Sequence, residues 1–156
     1  MNYVVMMSTN IMAKANRVYK TKVPVTKNQQ VEAEVVDITY QGMGVIKIDN
    51  FPIFVIDAIP GEVVQVGITK VLKSYAFGRV IKRVKASPNR AENVDKVAIT
   101  TGIAPLANLK YEAQLTFKQR QVEQLFKKVN VSVEVNPTIG MTDPTKYRNK
   151  AQVPVQ

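Results

Sequence analysis

Between Lys70 and Lys85 the chain reads KVLKSYAFGRVIKRVK. The cations Lys70, Lys73, Arg79, Lys82, Arg83 and Lys85 are interleaved there with Tyr75 and Phe77, and no acid occurs from Lys70 to Arg90. This pairing of residue types suits single-stranded RNA. Ammonium and guanidinium groups neutralise phosphates, and an aromatic ring stacks on a splayed base for roughly 1–3 kcal/mol. The plainer alternative puts Phe77 in a core and leaves the lysines as solvated charge. Other chemistries are closed by composition. The 156 residues include no cysteine and no histidine, which excludes thiol nucleophiles, thiolate or imidazole metal sites and a Ser–His couple. The net charge is +10 and bases exceed acids in every third of the chain, a balance that fits a polyanionic partner.

The elements that must position these groups are short β-branched runs between Val31 and Arg90, broken by Gly42, Gly44, Asn50, Pro60-Gly61 and Gly78. Short strands with regular turn signals predict a mainly β, five-stranded barrel or sandwich. Strands are expected at about 31–38, 45–49, 52–56, 63–73 and 76–85, with a tight turn at Asn50-Phe51. In the first, Val31, Ala33 and Val35 form the buried face. Pro60-Gly61 suits a type II turn. Gly42 and Gly44 permit positive φ or a bulge, and Gly78 marks a bulge or a close approach. Gly42-x-Gly44 is a poor phosphate loop because no helical pattern follows it. Ile53 to Ile56 is an unbroken apolar run and is expected in the core. Charge is split along this region: Val31–Thr69 holds six acids and one lysine, and Lys70–Arg90 seven bases.

Outside the barrel, residues 1–30 read as a disordered basic arm, with five bases and no acid over residues 13–30. Its first eleven residues are an extension or a misassigned start, and MNYVVMMSTNIM makes a poor signal peptide. No run approaches the roughly 20 apolar residues of a membrane span. Residues 91–108 show no period. A helix is predicted at about 109–129, with Tyr111, Leu115, Val122, Leu125, Phe126 and Val129 on one stripe and Lys118, Arg120, Lys127 and Lys128 elsewhere. Asn108 is its expected cap and Asn130 its end. Val131–Val135 and Ala151–Gln156 alternate as strands do. Strands with one buried face need partners that this stretch does not supply, so residues 91–156 are expected to be the start of an incomplete α+β domain.

Taken with these elements, particular motifs carry a resemblance. Asp37-Ile-Thr-Tyr-Gln-Gly42-Met-Gly44, Ala58-Ile-Pro60-Gly61-Glu62 and the basic segment Lys70 to Arg83 resemble a TRAM domain, an OB-like RNA-binding barrel. Leu109-Lys-Tyr111-Glu-Ala-Gln114-Leu115 and Ile139-Gly140-Met-Thr-Asp143-Pro144, running on to Tyr147-Arg148-Asn149-Lys150, resemble the start of the central domain of bacterial 23S rRNA uracil-C5 methyltransferases. The resemblance covers about residues 22–156. It implies a cytoplasmic, monomeric protein whose partner is RNA, specifically ribosomal RNA. Arg148 and Lys150 are added to the barrel's cations as backbone contacts, or as groups that pack the central domain.

The chain also departs from that family. Many members hold an iron–sulfur cluster on Cys-x5-Cys-Gly-Gly-Cys before the helix. The corresponding positions are Asp95, Thr101 and Ala104, none of which is a thiolate, so no cluster is expected. The family's S-adenosylmethionine loop and its nucleophilic cysteine are not found either. The chain alone is therefore expected to bind RNA without cofactor and without catalysing methyl transfer. Two other classes compete: a free-standing TRAM-type RNA-binding or chaperone protein, and a translation factor or ribosomal protein with a structural role.

Overall fold

The computed structural model describes residues 23–92 and 94–145. Six strands form one sheet: β1 Gln30–Glu34, β2 Asp37–Ile38, β3 Gly44–Ile48, β4 Phe51–Ile56, β5 Val63–Val71 and β6 Ala76–Lys85. Their order is β1-β5-β6-β4-β3-β2, antiparallel except for the parallel pair β4–β6. The two ends of the sheet, β1 and β2, are halves of one bent segment. At the bend the Val35 N–H donates to the Glu62 carbonyl at 2.8 Å, and the Val36 N–H to the Val45 carbonyl at 2.9 Å. The bend hands the chain from β5 to β3. Chain continuity thereby joins both edges of an OB-like sheet that no ladder closes.

The β3–β4 hairpin turns one residue earlier than the sequence suggests. Asp49 and Asn50 take φ of 48° and 62°, and Phe51 already pairs with Ile48. A two-residue hairpin with positive φ at both central positions follows the strand twist, and Asp and Asn tolerate that conformation where Phe does not. The Pro60-Gly61 turn forms as expected: Gly61 has φ of 83°, and the Glu62 N–H reaches the Ile59 carbonyl at 3.3 Å.

Period-2 alternation places Ile46, Ile53, Val55, Val64, Val66, Ile68 and Ala76 inside, with Val25 and Val35 packed on them. Burying each such aliphatic side chain contributes roughly 1.5–3 kcal/mol. Val25 also shows that the expected basic arm gives way to packed chain by residue 25. Gly78 is a close approach and not a bulge: a Cβ there would lie 2.3 Å from Val66 Cγ1. The β5–β6 ladder is instead irregular at Val63/Val64, Gln65/Val66 and Ile68/Lys70.

Residues 91–108 contain a short helix, α1 Lys96–Thr100, whose N-cap Asp95 accepts from the Val97 N–H at 2.8 Å. The long helix α2 spans Tyr111–Lys128. Its N-cap is Lys110, without a side-chain bond, and not Asn108, which is fully buried. An Arg90–Leu109 bridge holds the chain there in non-helical form. Asn130 ends the helix with φ of 56°. Ala113 and Phe117 pack on Ile38, Ile59 and Leu109 in a second, small core. The expected stripe is largely uncovered: Val122, Leu125, Phe126 and Val129 are exposed. Val131–Val135 forms no strand, since no ladder partner exists for it among the described residues. The chain then folds back on α2, where Tyr111 Oη accepts from the Met141 N–H at 2.8 Å.

Candidate nucleic-acid interface

Register decides which cations share a face, because directly paired residues project to the same side of a sheet. Lys70 pairs with Phe77, and Phe77 pairs with Phe54. Arg79 stands opposite Gly67 on β5 and Ile56 on β4; Lys82 stands opposite Gln65 and Lys85 opposite Val63. The inward set on β5 is Val64, Val66 and Ile68. Lys70, Arg79, Lys82 and Lys85 are therefore all exposed on the outer face of β5–β6. Lys73 is exposed in the turn before Tyr75, beside a groove lined also by Ser74, Asp49, Asn50, Phe51, Pro52 and Pro24.

Tyr75 and Phe77 lie on the same outer surface, and β4 adds Phe54. Ring centroids are 5.6 Å apart for Phe54–Tyr75, 6.0 Å for Phe54–Phe77 and 5.5 Å for Tyr75–Phe77, the first and last edge-on. All three rings are half-buried and belong to neither core. Phe77 is thus not a core residue. Phe54 escaped the sequence reading because it sits in an unbroken apolar run. The signal that could have found it is parity, since Ile53 and Val55 on either side point inward.

Arg83 is placed differently. It pairs with inward-facing Val64 and joins an ion-pair network at the end of the barrel. Its Nε lies 2.9 Å from Glu62 Oε1, close in charge but not aligned as a hydrogen bond, and its Nη2 donates to the Asp57 carbonyl at 3.0 Å. Arg90 completes the network: Nε and Nη2 reach the two Glu62 oxygens at 2.6 and 2.9 Å, and Nη1 reaches Asp57 Oδ1 at 2.9 Å. The Ile59 N–H also donates to Glu62 at 3.1 Å. Burial alone would raise the Glu62 carboxyl. The Arg90 hydrogen bonds, the Ile59 N–H and the charges of Arg90 and Arg83 outweigh it and hold the group below its ordinary value. Burial likewise acts to lower Arg90, and Glu62 and Asp57 overcome it, so its proton is held more firmly than usual. Arg148 and Lys150 lie outside the described residues.

The cluster positions are used structurally. Asp95 caps α1, and Thr101 Oγ1 donates to the Val97 carbonyl at 2.6 Å. Neither these side chains nor Ala104 fits an iron–sulfur cluster, which requires thiolates. No group of three or more carboxylates that could hold a metal ion occurs among the described residues. No helix there is long and apolar enough to cross a membrane.

Residues 24–81, which include most of this sheet, match the TRAM domain family model. The chain is 52% identical over 138 residues to an uncharacterized RNA methyltransferase of Lactiplantibacillus plantarum, covering 88% of this chain and 30% of that protein. It is 44% identical to counterparts in Enterococcus faecalis over 135 residues and Halalkalibacterium halodurans over 138, covering 85% and 87% of this chain and 30% of each. Residues 24–81 are thus a TRAM domain, and the chain is similar to RNA methyltransferases while spanning about 30% of the length of the curated relatives it matches.

Proposed function

We propose that this chain is the RNA-docking, amino-terminal part of an S-adenosylmethionine-dependent methyltransferase that modifies uracil C5 in ribosomal RNA. Its partner is ribosomal RNA and its setting the cytoplasm, as a monomer. The observation that carries the docking role is the alignment of Lys70, Arg79, Lys82 and Lys85 on one exposed face beside Tyr75 and Phe77. Lys73 extends that face at the turn, and Arg148 and Lys150 would add backbone contacts. Arg83 contributes to the field of the face while its guanidinium braces Asp57 and Glu62. The ribosomal RNA and uracil-C5 assignment rests on the motifs around Leu109–Leu115 and Ile139–Pro144. With no cysteine in its 156 residues, the chain supplies no thiolate for attack on uracil, so its own part is to hold the RNA.

The test is RNA affinity against salt for the wild type and the variant with Lys70, Arg79, Lys82 and Lys85 all changed to Ala. Each lost phosphate contact on a single strand flattens the slope of log K against log salt by about 0.7. The variant should bind all sequences more weakly, with a visibly shallower slope. Wild-type affinity and slope in the variant would overturn the docking reading.

A further inference from the structure

The face just described is not uniformly charged. One transverse row runs Val45, Phe54, Phe77, Lys70 across β3, β4, β6 and β5. Arg79 and Ile56 occupy the next row, and Lys47 with Pro52 the row on the other side. Adjacent rows on one face are separated by about 7 Å, two residues of strand. Three touching rings therefore sit between exposed cations, at the centre of the sheet. Part-exposed rings in a cationic surround suit the flat face of an unpaired base. A duplex keeps its base faces stacked inside and offers such a surface sugar, phosphate and base edges but no base face.

We infer that Phe54, with Tyr75 and Phe77, forms a stacking platform that makes this face select unpaired over paired RNA, and that Phe54 is its central residue. This rests on the docking reading above and sharpens it from RNA to a single-stranded segment. The edge-on geometry explains why three rings are needed. Tyr75 meets both Phe54 and Phe77 in edge-type contacts, and Phe54 also touches Phe77, which holds Phe54 in place between β3 and β6. A rigid ring loses little freedom when a base settles on it. Lys70 beside Phe77 and Arg79 one row away then meet the phosphates on either side of the stacked base.

The experiment uses the whole chain, a dodecamer of oligouridine and an RNA duplex of equal length, each measured at several salt concentrations. Phe54→Leu keeps an apolar side chain in the sheet and removes the ring. It should weaken the single strand by about tenfold, leave the duplex unchanged and leave the salt slope unchanged, because stacking releases no counterions. Phe54→Trp introduces the only tryptophan of the chain. It should keep single-strand affinity and show emission quenched by the oligomer and not by the duplex. Equal affinity of Phe54→Leu and wild type, equal losses on both RNAs, or no quenching at saturation would each overturn the platform. The tryptophan arm decides the matter if the leucine variant folds poorly. If the four-alanine variant loses its salt dependence while Phe54→Leu is silent, the platform alone fails. If both variants bind as wild type, the docking reading fails as well.

Discussion

The barrel and the helical segment that follows it solve the burial problem in opposite ways. The barrel encloses eleven buried residues in one continuous core. Helix α2 has eighteen residues and none of them is buried. It touches the barrel near its amino end, where Ala113 and Phe117 meet Ile38, Ile59 and Leu109, and Arg120 approaches Asp37 at 3.5 Å. Beyond that its apolar residues face outward. Strands that alternate and pair enclose their own core, whereas α2, with only Ala113, Leu115, Val122 and Leu125 as aliphatics, leans on the barrel and on the segment that folds back over it. Arg90 lies at the joint. It closes the barrel's ion-pair network and pairs through its backbone with Leu109.

The largest way to break this contrast is at the joint. Glu62→Gln leaves Arg83 and Arg90 without their buried carboxylate. Removing one member of a buried pair costs about 3–5 kcal/mol, so thermal unfolding should show a marked drop in midpoint for the barrel and the helix together. If only the helix is lost, the network belongs to the helical segment. Next comes Leu109→Ala, with an expected cost of about 2–5 kcal/mol confined to the contact between α2 and the barrel. Hydrogen exchange should speed up in α2 and stay slow in β3 to β6. Uniform acceleration would mean that the two regions unfold as one.

The pH dependence is a smaller effect. The folded Glu62 carboxyl sits below its ordinary value of 4.5, so the unfolded chain binds the proton more readily. Its contribution to stability is complete above that value and is lost as pH falls through the folded value. Urea unfolding between pH 6 and pH 3 should lose stability more steeply for the wild type than for Glu62→Gln. Smallest is Asn130→Gly at the end of α2. A residue already at positive φ is replaced by one that adopts it freely, and urea unfolding should show stability changed by only about a few tenths of a kcal/mol.

How much of this was legible in the sequence depends on range. β6 falls on the expected residues, and β3 to β5 differ by a residue or two at their ends, because alternation and turn residues are local signals. The bend at Val35–Val36 was not legible. It depends on the Val35 and Val36 N–H groups donating to the carbonyls of Glu62 and Val45, which lie further along the chain. Helix α1 is too short to show a period. The strand expected at Val131–Val135 failed because alternation specifies a face and not a partner. In the candidate site, the cations were visible as a charge run, but their grouping was not. Each irregularity in the β5–β6 ladder resets which residues oppose each other. That is why Lys82 and Lys85 share the outer face with Lys70 while Arg83, between them, turns to Glu62.

The bent first strand carries one more consequence. Sheets with long free borders recruit further strands, from their own kind or from misfolded neighbours. Here the two borders are five and two residues long, are successive parts of one ribbon, and carry the exposed carboxylates of Glu32 and Glu34. The cationic outer face can thus stay broad while the backbone offers almost nothing for another polypeptide to zip onto.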